Sequence, residues 1–254
     1  MLNTVLKSVY FFSIILLCNA SLRNNGVIVL SLADALDLAH EKLPDSISDR
    51  YEYSIKSAYY YWLYNYNRFK FLNEKKVLLK DYMAVYELHF KSGEINLTTK
   101  VLAEAKYLNF ESQYSEAEYN LLISENNLKK LIYINSDIIP ESDSLDKYYL
   151  QENVRDESMQ DSIIENYIDF SAQHDYLNLV LLLKKYDSQL IYYKKIFALA
   201  QQLTAKTGLR YDNEDIEYFH YINIISNAID LKLEYLRTLD LYNQAALRIE
   251  MYNN

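Results

Sequence analysis

A chain with three glycines and two prolines among 254 residues has few places to turn. Two of those glycines carry the same punctuation. Lys91-Ser92-Gly93 closes one long helical pattern, and Lys206-Thr207-Gly208 closes another. Glycine just past a periodic stretch is a helix stop, because it enters the left-handed conformation without a side-chain penalty. A polar run follows each glycine, and a new helical pattern opens near Val101 or Ile216. The duplication predicts an all-α protein: long antiparallel helical hairpins in tandem repeat, turning at Gly93 and Gly208.

Hydrophobic spacing fills in the units. Ile55, Tyr59, Trp62, Tyr66, Phe69, Leu72, Leu79, Met83, Tyr86 and Phe90 fall at steps of three, four or seven. Such a seam is coiled-coil-like and predicts a helix from about Tyr51 to Lys91, roughly 60 Å long. Trp62, Phe69, Leu79 and Met83 are expected inside it. The return helix spans about Leu97 to Tyr133. Residues 135–156 read as a linker, with Pro140 and the polar run Glu141-Ser-Asp-Ser144. The second unit covers 157–254, with helices from about Glu157 to Lys206 and from about Asn213 to Tyr252. Its seam is carried by Ile222, Ile225, Ile229, Leu233 and Leu236.

Ahead of the first hairpin, in residues 21–134, a short amphipathic helix begins at Ser31. Ser31-Leu-Ala-Asp34 is a capping-box-like start, and Pro44 follows its end. Val27 to Leu30 is the one stretch that reads as a strand.

Residues 1–20 read as a signal peptide. Lys7 precedes an apolar run from Val9 to Leu17, which as a helix spans only about 14 Å, too short for a bilayer. Cys18-Asn19-Ala20 places small residues where a signal peptidase reads, so cleavage after Ala20 is expected. The alternative is a lipoprotein acylated on Cys18. Cleavage after Ala20 leaves no cysteine, and so no disulfide or thiol chemistry.

Net charge is −9, and the lysine pairs are scattered along helices, so nucleic acid is not an expected partner. His40, His89, His174 and His220 stand far apart, with no second His or Cys at helical ligand spacing. Three glycines cannot make a phosphate loop, and no serine sits in a nucleophile elbow. Asp212, Glu214 and Asp215 read as helix N-terminal acids that favour the helix dipole. No catalytic residue, metal site or cofactor is expected.

The run Ser31-Leu-Ala-Asp-Ala-Leu-Asp-Leu-Ala-His-Glu-Lys-Leu-Pro44 resembles the mature N-terminal motif of the TolC-like outer membrane efflux proteins. Further likeness lies in Ala58-Tyr-Tyr-Tyr-Trp62, Phe90-Lys-Ser-Gly93, Val101-Leu-Ala-Glu-Ala105 and Asn126-Asn-Leu128. The second copy ends in Tyr242-Asn-Gln-Ala-Ala-Leu-Arg-Ile-Glu250. Three departures accompany the resemblance. The acid that family members carry after each turn glycine is kept as Asp215 but replaced by Lys100. The strand pairs that build the family's barrel have no room after Pro44. The chain is also shorter than family members.

The resemblance implies a component of an efflux or secretion assembly at the periplasm or outer membrane of a Gram-negative bacterium. It implies a homo-oligomer, a trimer in the family, that docks an adaptor (membrane fusion) protein through its hairpin tips. Mapped here, the tips are Gly93, Glu94, Ile95 and Asn96 in the first copy. In the second they are Gly208, Leu209, Arg210 and Asp212. The alternative is a periplasmic scaffolding coiled coil without transport.

Overall fold

A computed structural model of the chain describes residues 27–42, 48–142, 144–148, 170–212 and 218–253; side chains at 170–173, 207–212, 218, 219 and 253 are left aside. The expected signal peptide and the expected helix start near Glu157 lie outside the described residues.

The elements run β1 (Ile28–Leu30), α1 (Leu32–Lys42), α2 (Asp49–Lys91), α3 (Leu97–Leu131), β2 (Ile138–Pro140), α4 (Phe170–Asp212) and α5 (Tyr218–Asn253). The all-α reading holds: four long helices dominate, and the two strands are three residues each. The expected capping box opens α1. Asp34 Oδ2 accepts from the Ser31 backbone N–H at 2.9 Å, and Ser31 Oγ accepts from the Asp34 N–H at 3.1 Å. The Ser31 hydroxyl, donating to Asp34 Oδ2 at 2.6 Å, and then the Ser31 N–H hold the Asp34 carboxyl below the usual carboxylate range.

Helix α2 packs along α3, α4 packs along α5, and α2 also packs along α5. The lateral order is therefore α3–α2–α5–α4, with two inner and two outer helices. Two apolar clusters follow the layer. One surrounds Ile55, Trp62, Leu128, Leu239 and Ile249, where α1 and the strands lie against the bundle. The other holds Leu72, Leu79, Tyr86, Phe110, Ile222 and Ile225. Trp62 and Leu79 are buried as the seam predicts, whereas Phe69 and Met83 are half-buried against the second cluster.

Aromatic residues of α2 tie the neighbouring elements to it. Tyr51 donates its hydroxyl to the Leu131 carbonyl at the end of α3, at 2.6 Å, and Tyr59 donates to the Leu30 carbonyl of β1 at 3.3 Å. Tyr59 and Trp62 meet edge to face at 5.7 Å.

Two expectations need correction. The region read as linker contains β2, which pairs in parallel with β1 in the register Ile28↔Ile138, Val29↔Ile139 and Leu30↔Pro140. Pro140 sits at the end of this two-stranded sheet, where its missing N–H costs no ladder bond. The same region also straps the bundle. Leu145 is buried, and the backbone around Tyr148 is gripped by the fully buried Asn243 of α5. Second, the later turn does not fall at Gly208. Helix α4 continues through Lys206, Thr207 and Gly208 to Asp212. An interior glycine costs a helix only about 1 kcal/mol, which packing along α5 outweighs.

Candidate functional site

The sequence points to the hairpin tips, and the structure describes the first of them in detail. Ser92 caps α2, its N–H donating to the Leu88 carbonyl at 3.0 Å. Gly93 then takes φ 79°, the left-handed conformation anticipated for it. The Gly93 N–H reaches the Phe90 carbonyl at 3.1 Å, and the Glu94 N–H turns back to the His89 carbonyl at 3.0 Å. Asn96 opens α3 by accepting from the Thr99 N–H at 2.9 Å. Four residues thus reverse the chain between α2 and α3.

Side chains stiffen this turn. Glu94 is gripped by His89 Nδ1 through one oxygen and by Ser92 Oγ through the other, the latter at 2.9 Å. The His89 contact, then Ser92, holds the Glu94 carboxyl below its ordinary range. Lys100, which stands where an acid was expected, joins Glu87 of α2 at 2.9 Å and lies 4.6 Å from the centre of the Phe90 ring. A lysine here closes the hairpin across its neck, a role that an acid facing Glu87 would oppose. Ile95 turns inward onto the second apolar cluster, leaving Gly93, Glu94 and Asn96 exposed.

The second expected tip is arranged differently. Gly208, Leu209, Arg210 and Asp212 belong to the last turns of α4, so they do not form a loop beyond it. The two sets of tip residues are therefore not structural equivalents.

A feature that the sequence reading passed over lies on the outer helices. Helix α4 exposes Tyr192, Ile196, Leu199 and Leu203 at steps of four, three and four, with Leu199 64% and Tyr192 66% exposed. Among the described residues, this coiled-coil seam has no partner helix. Helix α3 exposes Leu97, Val101, Leu108, Tyr119, Leu122 and Ile123. The inner helices show far fewer large apolar side chains: Tyr61, Val77 and Leu88 on α2, and Leu241 and Met251 on α5. The unusual apolar exposure is thus concentrated on the two lateral edges of the layer.

Between the inner helices the contacts are polar and specific. Ser57 Oγ donates to Gln244 Oε1 at 2.6 Å, and Gln244 Nε2 donates to the Ser57 carbonyl at 3.2 Å. Lys56 of α2 bridges to Glu250 of α5 at 2.9 Å. Asp240 is buried one turn before Gln244, and burial pushes its carboxyl up to about 6. These contacts fix the register of one hairpin against the other.

No group of three or more His, Cys, Asp or Glu side chains suited to a metal occurs among the described residues. Among them, too, no helix is long and apolar enough to cross a membrane.

No protein-family model matches the sequence. No curated protein matches it either. Among solved structures, the chain is similar to CusC, from a study of the conformational changes accompanying its folding and transmembrane channel formation. The identity is 12% and the TM-score 0.57, over 99% of this chain and 88% of that one. At that identity the likeness is one of fold, and the fold shared is the long-hairpin, TolC-like helical architecture.

Proposed function

We propose that the chain is a TolC-like component of an efflux or secretion assembly at the periplasm or outer membrane. Copies associate side by side through their outer helices, and the hairpin ends dock an adaptor protein. The observation that carries this reading is the pair of apolar edges. A layer ordered α3–α2–α5–α4 that exposes a coiled-coil seam on α4 and an apolar stripe on α3 is matched to the edge of a second copy. An α3-to-α4 contact is heterologous, and repetition of such a contact generates a ring when the rotation closes. The likeness to a channel-forming protein supports the same arrangement.

Docking at the ends rests on the exposed Gly93, Glu94 and Asn96 and on Arg210 near the end of α4. It also rests on the family resemblance of the turn motifs.

The test is the mass of the purified protein in sedimentation velocity, followed by crosslinking to candidate adaptors. A defined oligomer is expected for the native chain, and monomers for Leu199→Asp and Leu108→Asp. Arg210→Glu is expected to lose adaptor crosslinks while keeping the oligomer. A native monomer that stays monomeric at high concentration removes the channel reading.

One observation favours a scaffold without transport as the second reading. A membrane-spanning strand needs about 9–11 residues. The described strands have three each and pair with one another. An oligomer that leaves loaded liposomes sealed would select the scaffold.

A further inference from the structure

Helices α2 and α4 flank α5 and leave an open groove of about 310 Å3 above it. Ile225, Ala228 and Ile229 of α5 form its floor, Phe71 and Lys75 stand on the α2 side, and Phe197 stands on the α4 side. Among the described residues, no acidic one lines it. Lys232 follows Ala228 by four positions and Ile229 by three, so it continues the floor along the same face of α5. Its ammonium lies 5.1 Å from the centre of the Phe197 ring and 4.9 Å from that of Tyr235.

Lys232 is treated differently from Lys56 and Lys129, two lysines that are also partly withdrawn from water. Lys56 is matched by Glu52 and Glu250, and Lys129 by Glu125 and Asp137. Half-buried Lys232 has two aromatic rings and, among the described residues, no carboxylate within ion-pair distance. Glu74, exposed on α2, is the acid whose charge reaches it, and burial still pulls its pKa below the ordinary lysine range. Lys75 adds a second cation at the rim, its ammonium 5.7 Å from the Phe71 ring centre. A desolvated cation held by aromatic rings at the end of an apolar trough, with no ion-pair partner among the described residues, attracts an anion, and the trough determines what kind fits. The volume suits a small molecule rather than a macromolecule.

We propose that this groove binds a monomeric organic anion, a carboxylate with an apolar body, with its head on Lys232 and its body along Ile225, Ala228 and Ile229. The site lies within one chain and is independent of oligomer formation. A chain that binds such an anion but stays monomeric keeps the site and loses the channel.

Isothermal titration of the full chain with phenylbutyrate and its neutral counterpart phenylbutanol tests this. The acid is expected to bind at least about tenfold more tightly than the alcohol, the factor set by one charge-assisted hydrogen bond. Lys232→Met keeps the apolar stem and is expected to erase the preference, whereas Lys232→Arg keeps it. Ala228→Leu fills the floor and is expected to weaken both ligands by about tenfold or more. Equal affinity of the unaltered chain for acid and alcohol overturns the proposal, and that comparison needs no variant. A preference that survives Lys232→Met in a folded chain overturns it as well. So does binding to phosphatidylglycerol vesicles with no binding of phenylbutyrate.

Discussion

The two turn glycines look alike in the sequence and sit in opposite backbone environments, so one substitution is expected to act on them with opposite signs. Gly93 has φ 79°, and a Cβ built there meets nothing within 4 Å. Gly93→Ala therefore carries no steric clash with its surroundings and only the left-handed backbone penalty, about 1–2 kcal/mol. The loss of unfolded-state freedom returns about 0.4–1 kcal/mol, leaving a net destabilisation of about 1 kcal/mol. Gly208 lies inside α4, one helical turn before its end at Asp212. There Gly208→Ala replaces the poorest non-proline helix former with the best, a gain of about 1 kcal/mol. The separation between the variants is about 2 kcal/mol, or roughly 4–8 °C in melting temperature for a chain of this size. Urea and thermal unfolding followed by circular dichroism measure it. Gly93→Asn adds an internal control, because asparagine tolerates the left-handed region and is expected to lose less than alanine. Variants that shift in the same direction, or a Gly93→Ala chain as stable as the native one, refute the backbone argument.

Asp240 gives a pH signature. Its folded-state pKa of about 6 stands above the ordinary value of 3.8, so the folded chain holds the proton more tightly than the unfolded one. Stability is then greatest at low pH for this group and is lost as pH rises from about 4 through 6, by on the order of 3 kcal/mol. Asp240→Asn is expected to flatten that part of the profile in urea titrations between pH 4 and 8 (about 2 kcal/mol or more gained at the upper end); an unchanged profile contradicts it. Asn243→Ala removes the acceptor for the Tyr148 N–H at 2.8 Å and the donor to the Asp146 carbonyl at 2.9 Å. A loss of about 2–3 kcal/mol is expected by denaturant unfolding, with faster amide exchange at residue 148. Trp62→Ala empties a site with no solvent exposure and is expected to cost about 3–5 kcal/mol in the same assay.

What the sequence made legible was the local part of the structure. The turn at Gly93 could be read because its signals sit within a few residues: a left-handed glycine, then Asn96 as a cap. The capping box at Ser31 and Asp34 is local in the same way. Gly208 misled because a lone glycine is a weak stop, and its outcome is decided by packing along α5 rather than by its neighbours in sequence. The strand at Ile138 was hidden for a different reason. Three residues show no alternation, and the partner at Ile28 is distant in the chain. The apolar edges were in plain view as side chains, but a helix seam looks the same whether its partner is in the chain or in another copy. Only the lateral order of the helices shows which seams are left open.

The β1–β2 pair has a consequence for the order of assembly during synthesis. Ile28 waits for Ile138, so a loop of about 110 residues must emerge before the first strand has anything to pair with. The intervening α2–α3 hairpin forms from contacts around its own turn and brings Leu131, and β2 just beyond it, back beside Tyr51. The helices thus act as a caliper that sets where β1 is fastened. A ribosome that stalls before residue 138 releases a hairpin with β1 unpaired, open to the edge of another chain's strand. The smallest element of the fold is for this reason the one that marks completion of the first half.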